Sequence, residues 1–186
     1  HYILMKSQLV AKTRDGIKLV TRRLDPRWLK AKKGDTLLVK EAWATLPEHD
    51  HLKPTLLPLD APVFYAADRL PTEDDFDVKR RFGIERWRPS LFLPKRLVRL
   101  RLRMTADAFR EPLHAITEAG ALLEGADKAY DGGSGLERPW THRKGFEELW
   151  VLINGQDSWN SNPDVIVLPY QIASFGFPVK RRGNES

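Results

Sequence analysis

Arg96-Leu97-Val98-Arg99-Leu100-Arg101-Leu102-Arg103-Met104 is the run on which the fold turns. Leu97, Arg99, Arg101 and Arg103 alternate with Val98, Leu100, Leu102 and Met104. A period of two is that of an extended strand with one face in a core. The run therefore reads as a half-buried strand whose outer face carries arginine. Upstream, Gly34-Asp35 forms a turn into Thr36-Leu37-Leu38-Val39-Lys40-Glu41-Ala42-Trp43, a second strand. Residues 63–66 give a short third strand and residues 164–172 a last one. Residues 7–15 read as a helix capped by Ser7, with Leu9, Val10 and Thr13 on one face and Gly16 as its left-handed stop. A second helix runs from after Pro112 through Glu124 to Gly125. A third covers 144–153, with Phe146, Leu149, Trp150 and Ile153 on one side. Strands separated by helices, without an internal repeat, indicate an α+β domain on a small curved sheet or barrel.

Composition narrows the possibilities. The chain has 186 residues, 41% of them hydrophobic and 30% charged, which suits one domain with a real core. That domain is expected over 1–175, with insertions near 46–62, 68–86 and 126–143 and a basic, flexible tail at 176–186. Residues 46–62 are rich in proline and read as an ordered loop; 68–86 is charged and exposed, and 126–141 is a glycine-rich loop. No run approaches the ~18 apolar residues of a membrane span, and no secretory leader is visible, so a cytoplasmic protein without a membrane partner is the expectation. Cysteine is absent, which removes disulfides, thiolate metal sites and cysteine nucleophiles. The net charge of +6 favours a polyanionic partner.

The chemistry-bearing segment is Gly16-Ile17-Lys18-Leu19-Val20-Thr21-Arg22-Arg23. A lysine becomes a base or an electrostatic partner once desolvation lowers its pKa, and a nearby hydroxyl is a group that benefits from such help. Two guanidinium groups beside them suit an anionic or planar polar ligand.

Five collinear blocks carry a resemblance. They are Gly16-x-Lys18-x-x-Thr21-x-Arg23; Gly34-Asp35 with Leu38–Trp43; Trp87-x-Pro89-Ser90-x-x-x-Pro94; Ile116-Thr117-Glu118 through Glu124-Gly125; and Phe146-x-x-Leu149-Trp150-x-x-Ile153-Asn154-Gly155 with Ser158-Trp159-x-x-Asn162-Pro163. Together they resemble the ASCH domain family, a branch of the PUA-like fold, and its longer phage- and prophage-associated members. Leu168-Pro169 departs from the family's uninterrupted last strand, and 68–86 has no counterpart in it.

The resemblance implies a nucleobase-sized pocket. Some small bacterial ASCH proteins deacetylate N4-acetylcytidine with a lysine, a threonine and a glutamate, which match Lys18, Thr21 and Glu124 here. Glu118 is the competing carboxylate, disfavoured because it begins the helix, where it serves the dipole. In such a hydrolase Thr21 attacks or holds water, Lys18 takes the proton or steadies the oxyanion, and Glu124 shuttles a proton to the leaving nitrogen. No metal or other cofactor is expected. Arg23, Glu41, Trp43, Tyr65 and Ser90 are candidate ligand contacts, with Trp43 more simply a core residue. Arg22, Arg99, Arg101 and Arg103 are candidates for a nucleic-acid backbone.

Three functions follow as expectations: a module binding a nucleoside or single-stranded nucleic acid, RNA rather than DNA; an amidohydrolase; and, more weakly, a ribonuclease. His49-Asp50-His51 reads as loop polarity. Trp150 and Trp159 should pack the C-terminal helix on the sheet.

Overall fold

A computed structural model of the chain describes residues 1–68, 74–130 and 140–176. The start of the acidic stretch at Glu73, the glycine-rich residues 131–139 and the tail from 177 lie outside them. In chain order the elements are β1 (Tyr2–Leu4), α1 (Ser7–Arg14), β2 (Val20–Arg23), β3 (Thr36–Lys40), β4 (Trp43–Thr45) and β5 (Val63–Tyr65). Next come α2 (Asp75–Phe82), β6 (Leu100–Met104), β7 (Phe109–Pro112), α3 (Glu118–Leu123), β8 (Ala129–Tyr130) and β9 (Trp140–Thr141). They are followed by α4 (His142–Asn154), α5 (Gln156–Asn160) and β10 (Asp164–Phe175). The class is α+β, with a small curved sheet and flanking helices.

The chain forms two compact units, the first made of His1–Ala11, Leu37–Leu102 and the described residues from 173 on. In it β1 runs parallel to β3, with Tyr2 opposite Leu38 and Leu4 opposite Lys40, and β6 is the next neighbour of β3. The alternation in β6 holds from Leu100 onward: Leu100, Leu102 and Met104 are buried. It does not extend back to Arg96, because Lys95–Leu97 is a 3-10 turn. Strands β4 and β5 pair antiparallel, with Trp43 opposite Tyr65, over a core of Trp43, Leu57, Tyr65, Leu93, Leu97 and Val98.

The expected single strand over 36–43 is two strands. β3 takes β1 as partner and β4 takes β5, and Glu41-Ala42 makes the change between them. The charged segment 68–86, expected to be exposed, contains the helix α2. Its N–H groups are met by Asp74, whose carboxylate accepts from the Asp77 N–H at 2.8 Å. Gly83 ends it at φ +66°. Val78 is the buried residue of this helix, whose other apolar residues are Phe76 and Phe82, too sparse an apolar stripe for periodicity to reveal.

The second unit comprises Lys12–Thr36 and Arg103–Ile172. Its axis is β10, antiparallel to β2 on one side (Thr21 opposite Leu168) and to β7 on the other (Ile166 opposite Arg110). Pro169 does not interrupt β10. It lies opposite Val20, and its carbonyl accepts from the Thr105 N–H at 3.1 Å. The expected helix from Pro112 begins instead with a 3-10 turn, Leu113–Ala115. α3 starts only after Thr117, whose hydroxyl accepts from the Gly120 N–H at 3.0 Å. As expected, α4 packs Phe146 and Trp150 with Val165 of β10 in one cluster, against which Trp159 is half-buried.

Gly145 is where α4 comes closest to the chain after α3. A Cβ there would stand 1.6 Å from the Asp127 carbonyl oxygen, so no side chain fits without moving backbone. Gly145→Ala should lower stability by about 2 kcal/mol or more, as overpacked sites do, despite alanine's better helix propensity. Urea unfolding of the two proteins measures it; an unchanged midpoint would show that α4 does not sit this close.

Candidate functional site

The lysine segment is held in place by backbone. α1 ends at Gly16 with φ +74°, and the Lys18 N–H returns to the Lys12 carbonyl at 3.1 Å. The Leu19 N–H donates to the Leu123 carbonyl at 2.8 Å, and Leu19's own carbonyl accepts from the Tyr170 N–H at 2.9 Å. Residues 17–19 are thus fixed between the C-terminal end of α3 and β10. Gly125 makes the approach possible: its φ is +74°, and a Cβ there would lie 3.0 Å from the Lys18 Cβ. From the other side Lys12 donates to the Gly125 carbonyl at 2.7 Å and to Asp127 at 2.6 Å.

In this setting Lys18 meets Glu124. The Lys18 Nζ donates to the Val20 carbonyl at 2.7 Å, the Glu124 carbonyl at 2.9 Å and the Glu124 carboxylate Oε2. Three acceptors match the three donors of an ammonium. The side chains of the pair are 1% and 5% exposed. Burial pushes the Lys18 amine below its ordinary 10.5, and the Glu124 charge and hydrogen bond work against that shift. Glu124's second oxygen accepts from Arg22 Nη1 at 3.1 Å, while Arg22 Nε donates to Glu111 at 2.8 Å.

Arg22, expected to touch a nucleic-acid backbone, is instead a buried partner of two carboxylates. Thr21 is also buried. Strand alternation puts it with Arg23 on the face of β2 opposite Arg22, so Lys18 and Glu124 are brought together by their side chains and Thr21 adjoins them through the strand. Burial likewise lowers the Arg23 guanidinium from its usual value, with Glu124 and Tyr170 opposing. The Tyr170 hydroxyl, pushed up by burial, shares a 3.4 Å hydrogen bond with Thr13. Of the two candidate carboxylates, Glu124 is the one at Lys18. Glu118 caps α4, accepting from the His142 N–H at 2.7 Å and the Arg143 N–H at 2.9 Å.

The remaining candidates lie in the first unit, around Arg99. Its Nε and Nη2 donate to the two oxygens of Glu41, each at 2.9 Å, and Nη1 donates to Asp68 at 2.6 Å. The guanidinium carbon sits 3.9 Å from the centroid of the Tyr65 ring and 5.1 Å from that of Phe175. Burial alone would lower the Arg99 pKa, but the two carboxylates outweigh it and the net direction is upward. The Tyr65 hydroxyl, pushed up chiefly by burial, donates to the Leu97 carbonyl at 2.7 Å. Arg99 is therefore not on an outer strand face. It precedes β6, and the alternation that would have turned it outward does not reach it. Arg101 is half-buried and Arg103 exposed.

Trp43 is core, with Arg88 over its ring at 4.9 Å. Arg88 holds the proline-rich loop through the His49 carbonyl at 2.9 Å and the Leu52 carbonyl at 3.1 Å. Ser90 opens a 3-10 turn, Ser90–Phe92. Asp68, Glu111 and Arg88 are the partners that sequence reasoning missed. Asp68 and Glu111 stand in charged stretches and Arg88 between Trp87 and Pro89, and no spacing set them apart. Among the described residues no group of three or more His, Cys, Asp and Glu side chains could hold a metal ion, and no helix is long and apolar enough to cross a membrane. Comparison with protein-family models, with curated proteins and with solved structures gives no match.

Removing one member of the Lys18–Glu124 pair strands a buried charge. Glu124→Gln should cost about 3–5 kcal/mol, and Lys18→Met with Glu124→Leu together should cost less than the sum of the two single changes. Chemical denaturation of wild type, Glu124→Gln, Lys18→Met, Glu124→Leu and the double variant decides this; additivity would show that the pair does not interact. For Glu118, the two backbone N–H groups hold its carboxyl below the ordinary 4.5 in the folded chain. Its cap therefore contributes fully above 4.5 and is lost as the pH falls through the depressed value. Wild type and Glu118→Gln should differ in thermal midpoint at neutral pH and converge in acid; a constant difference would rule the cap out.

Proposed function

We propose that the chain is an ASCH-type module that binds a single nucleobase, free as a nucleoside or unpaired in RNA, at Lys18 and Glu124. The observation that carries this is the pair itself: a desolvated amine and a carboxylate, joined across the chain from two segments of the resemblance. An ammonium donor beside a carboxylate acceptor is complementary to the edge of cytosine, which offers an acceptor ring nitrogen beside a donor amino group. Exchange of the internal pair for such an edge keeps every buried polar group satisfied. Arg22 would keep Glu124 oriented during the exchange, and Arg23, on the Thr21 face of β2, supplies a planar cation against which a base stacks.

A second reading, the amidohydrolase, is favoured by the lowered pKa of Lys18. Here water adds across the N4-acyl bond, releasing acetate and cytidine. Lys18 takes the proton from the attacking oxygen or steadies the oxyanion, and Glu124 carries a proton to the departing nitrogen.

Calorimetric titration with cytidine and N4-acetylcytidine, alongside chromatography of the products, separates the two. Binding without cytidine release, weakened roughly ten-fold or more in Glu124→Gln as for a lost charged hydrogen bond, supports the module. Release that disappears in both Lys18→Ala and Thr21→Ala, with circular dichroism showing each variant folded, supports the hydrolase. Neither binding nor release by the wild-type chain would overturn both.

A further inference from the structure

The edge of the first unit's sheet at β1 carries exposed side chains of a different composition from the Lys18 site, although Leu38, opposite Tyr2, is covered by the core cluster. The burial pattern of β1 is exposed, buried, exposed, so Tyr2 and Leu4 face away from the core while Ile3 enters it. Leu37 and Val39 of β3 also point inward, which places Lys40 on the same outer side as Tyr2 and Leu4. The Lys40 ammonium stands 4.8 Å from the centroid of the Tyr2 ring. It also donates to the Leu91 carbonyl at 2.9 Å, which ties the turn Ser90–Phe92 to this edge of the sheet. Tyr2 is 47% exposed and Phe92 54%. Tyr2 thus contacts a fixed cation at solvent, and Phe92 is the exposed residue next to the carbonyl that this cation holds.

The two stretches that carry these rings have charge of one sign. Residues 1–14 and 88–104 contain no Asp or Glu. Arg88 and Arg99 are engaged in internal ion pairs, but Lys6 and Lys95 are exposed and Arg101 is half-buried. Aromatic rings interleaved with cations, with no carboxylate among them, form the pattern that stacks unpaired bases and follows a phosphate backbone. A duplex presents no free base faces to such rings.

We propose that this face binds single-stranded RNA, with Tyr2 and Phe92 each stacking a base and Lys40, Lys95 and Arg101 matching the phosphates. It extends the nucleobase reading above from one base to the strand that carries it, and it uses none of the residues at Lys18. The test is fluorescence anisotropy of the full chain with a short fluorescein-labelled oligouridine, at low and moderate salt. Wild type should bind with an affinity that falls as salt rises. Tyr2→Ala and Phe92→Ala should each weaken binding about five-fold or more, the loss of one stacked base. Phe76→Ala, at a still more exposed ring on α2, should stay within about two-fold.

Cytidine binding measured on the Tyr2→Ala/Phe92→Ala protein should be unchanged, which keeps failure here distinct from failure at Lys18. The proposal is overturned by oligouridine binding that ignores both rings, by tighter binding to the matching duplex, or by binding to anionic phosphatidylserine vesicles without binding to the oligonucleotide.

Discussion

Lys18 carries an ammonium group to a position that water scarcely reaches, and only because Glu124 meets it there does the local structure hold. An isolated buried charge is so costly that the group would neutralise or the segment would open. The conditions for the pairing are spread over the second unit. Gly16 turns the chain out of α1, Gly125 leaves room for the Lys18 Cβ, and the Leu19 backbone is fixed to both α3 and β10. Arg22 then occupies the second oxygen of Glu124, so the carboxylate is restrained from two sides. The pair is thus held in one arrangement by groups from α1, β2 and the end of α3.

The first unit solves a similar problem with arginine. Arg99 is clasped by both oxygens of Glu41 and by Asp68 and lies over Tyr65. Arginine suits this role because its planar fork satisfies a carboxylate bidentately while its face contacts a ring. Here the arrangement leaves the guanidinium fully engaged, and Glu41 and Tyr65, expected as ligand contacts, are its partners. Leu38, opposite Tyr2 in the sheet, packs against this unit's core cluster, while Tyr2 and Phe92 are themselves exposed.

Much of the fold was legible from local rules. Gly16 after an amphipathic turn, the apolar face of α4 and the alternation in β6 each state their structure within a few residues. The parts that were not legible depend on choices made elsewhere in the chain. The break at Glu41 arises because β3 and β4 take different partners, and Pro169 sits inside β10 because its carbonyl, not a missing N–H, makes the bond to Thr105. Arg99 lies one residue ahead of β6, so a count of alternate residues turned it the wrong way. At the site, spacing singles out Lys18 and Thr21, while Glu124 enters only through the family resemblance, by its place before Gly125. Nothing in the sequence said that Arg22 would be the second cation on that carboxylate.

The state of Lys18 is the point on which the account stands, and carbon-13 NMR of its Cε methylene through a pH titration measures it directly. The Lys18 resonance should titrate below the ordinary 10.5. It should move lower still in Glu124→Gln, where the charge that raises it is gone. A Lys18 that titrates at or above 10.5, with no response to Glu124, would contradict the desolvated pair and the site built on it.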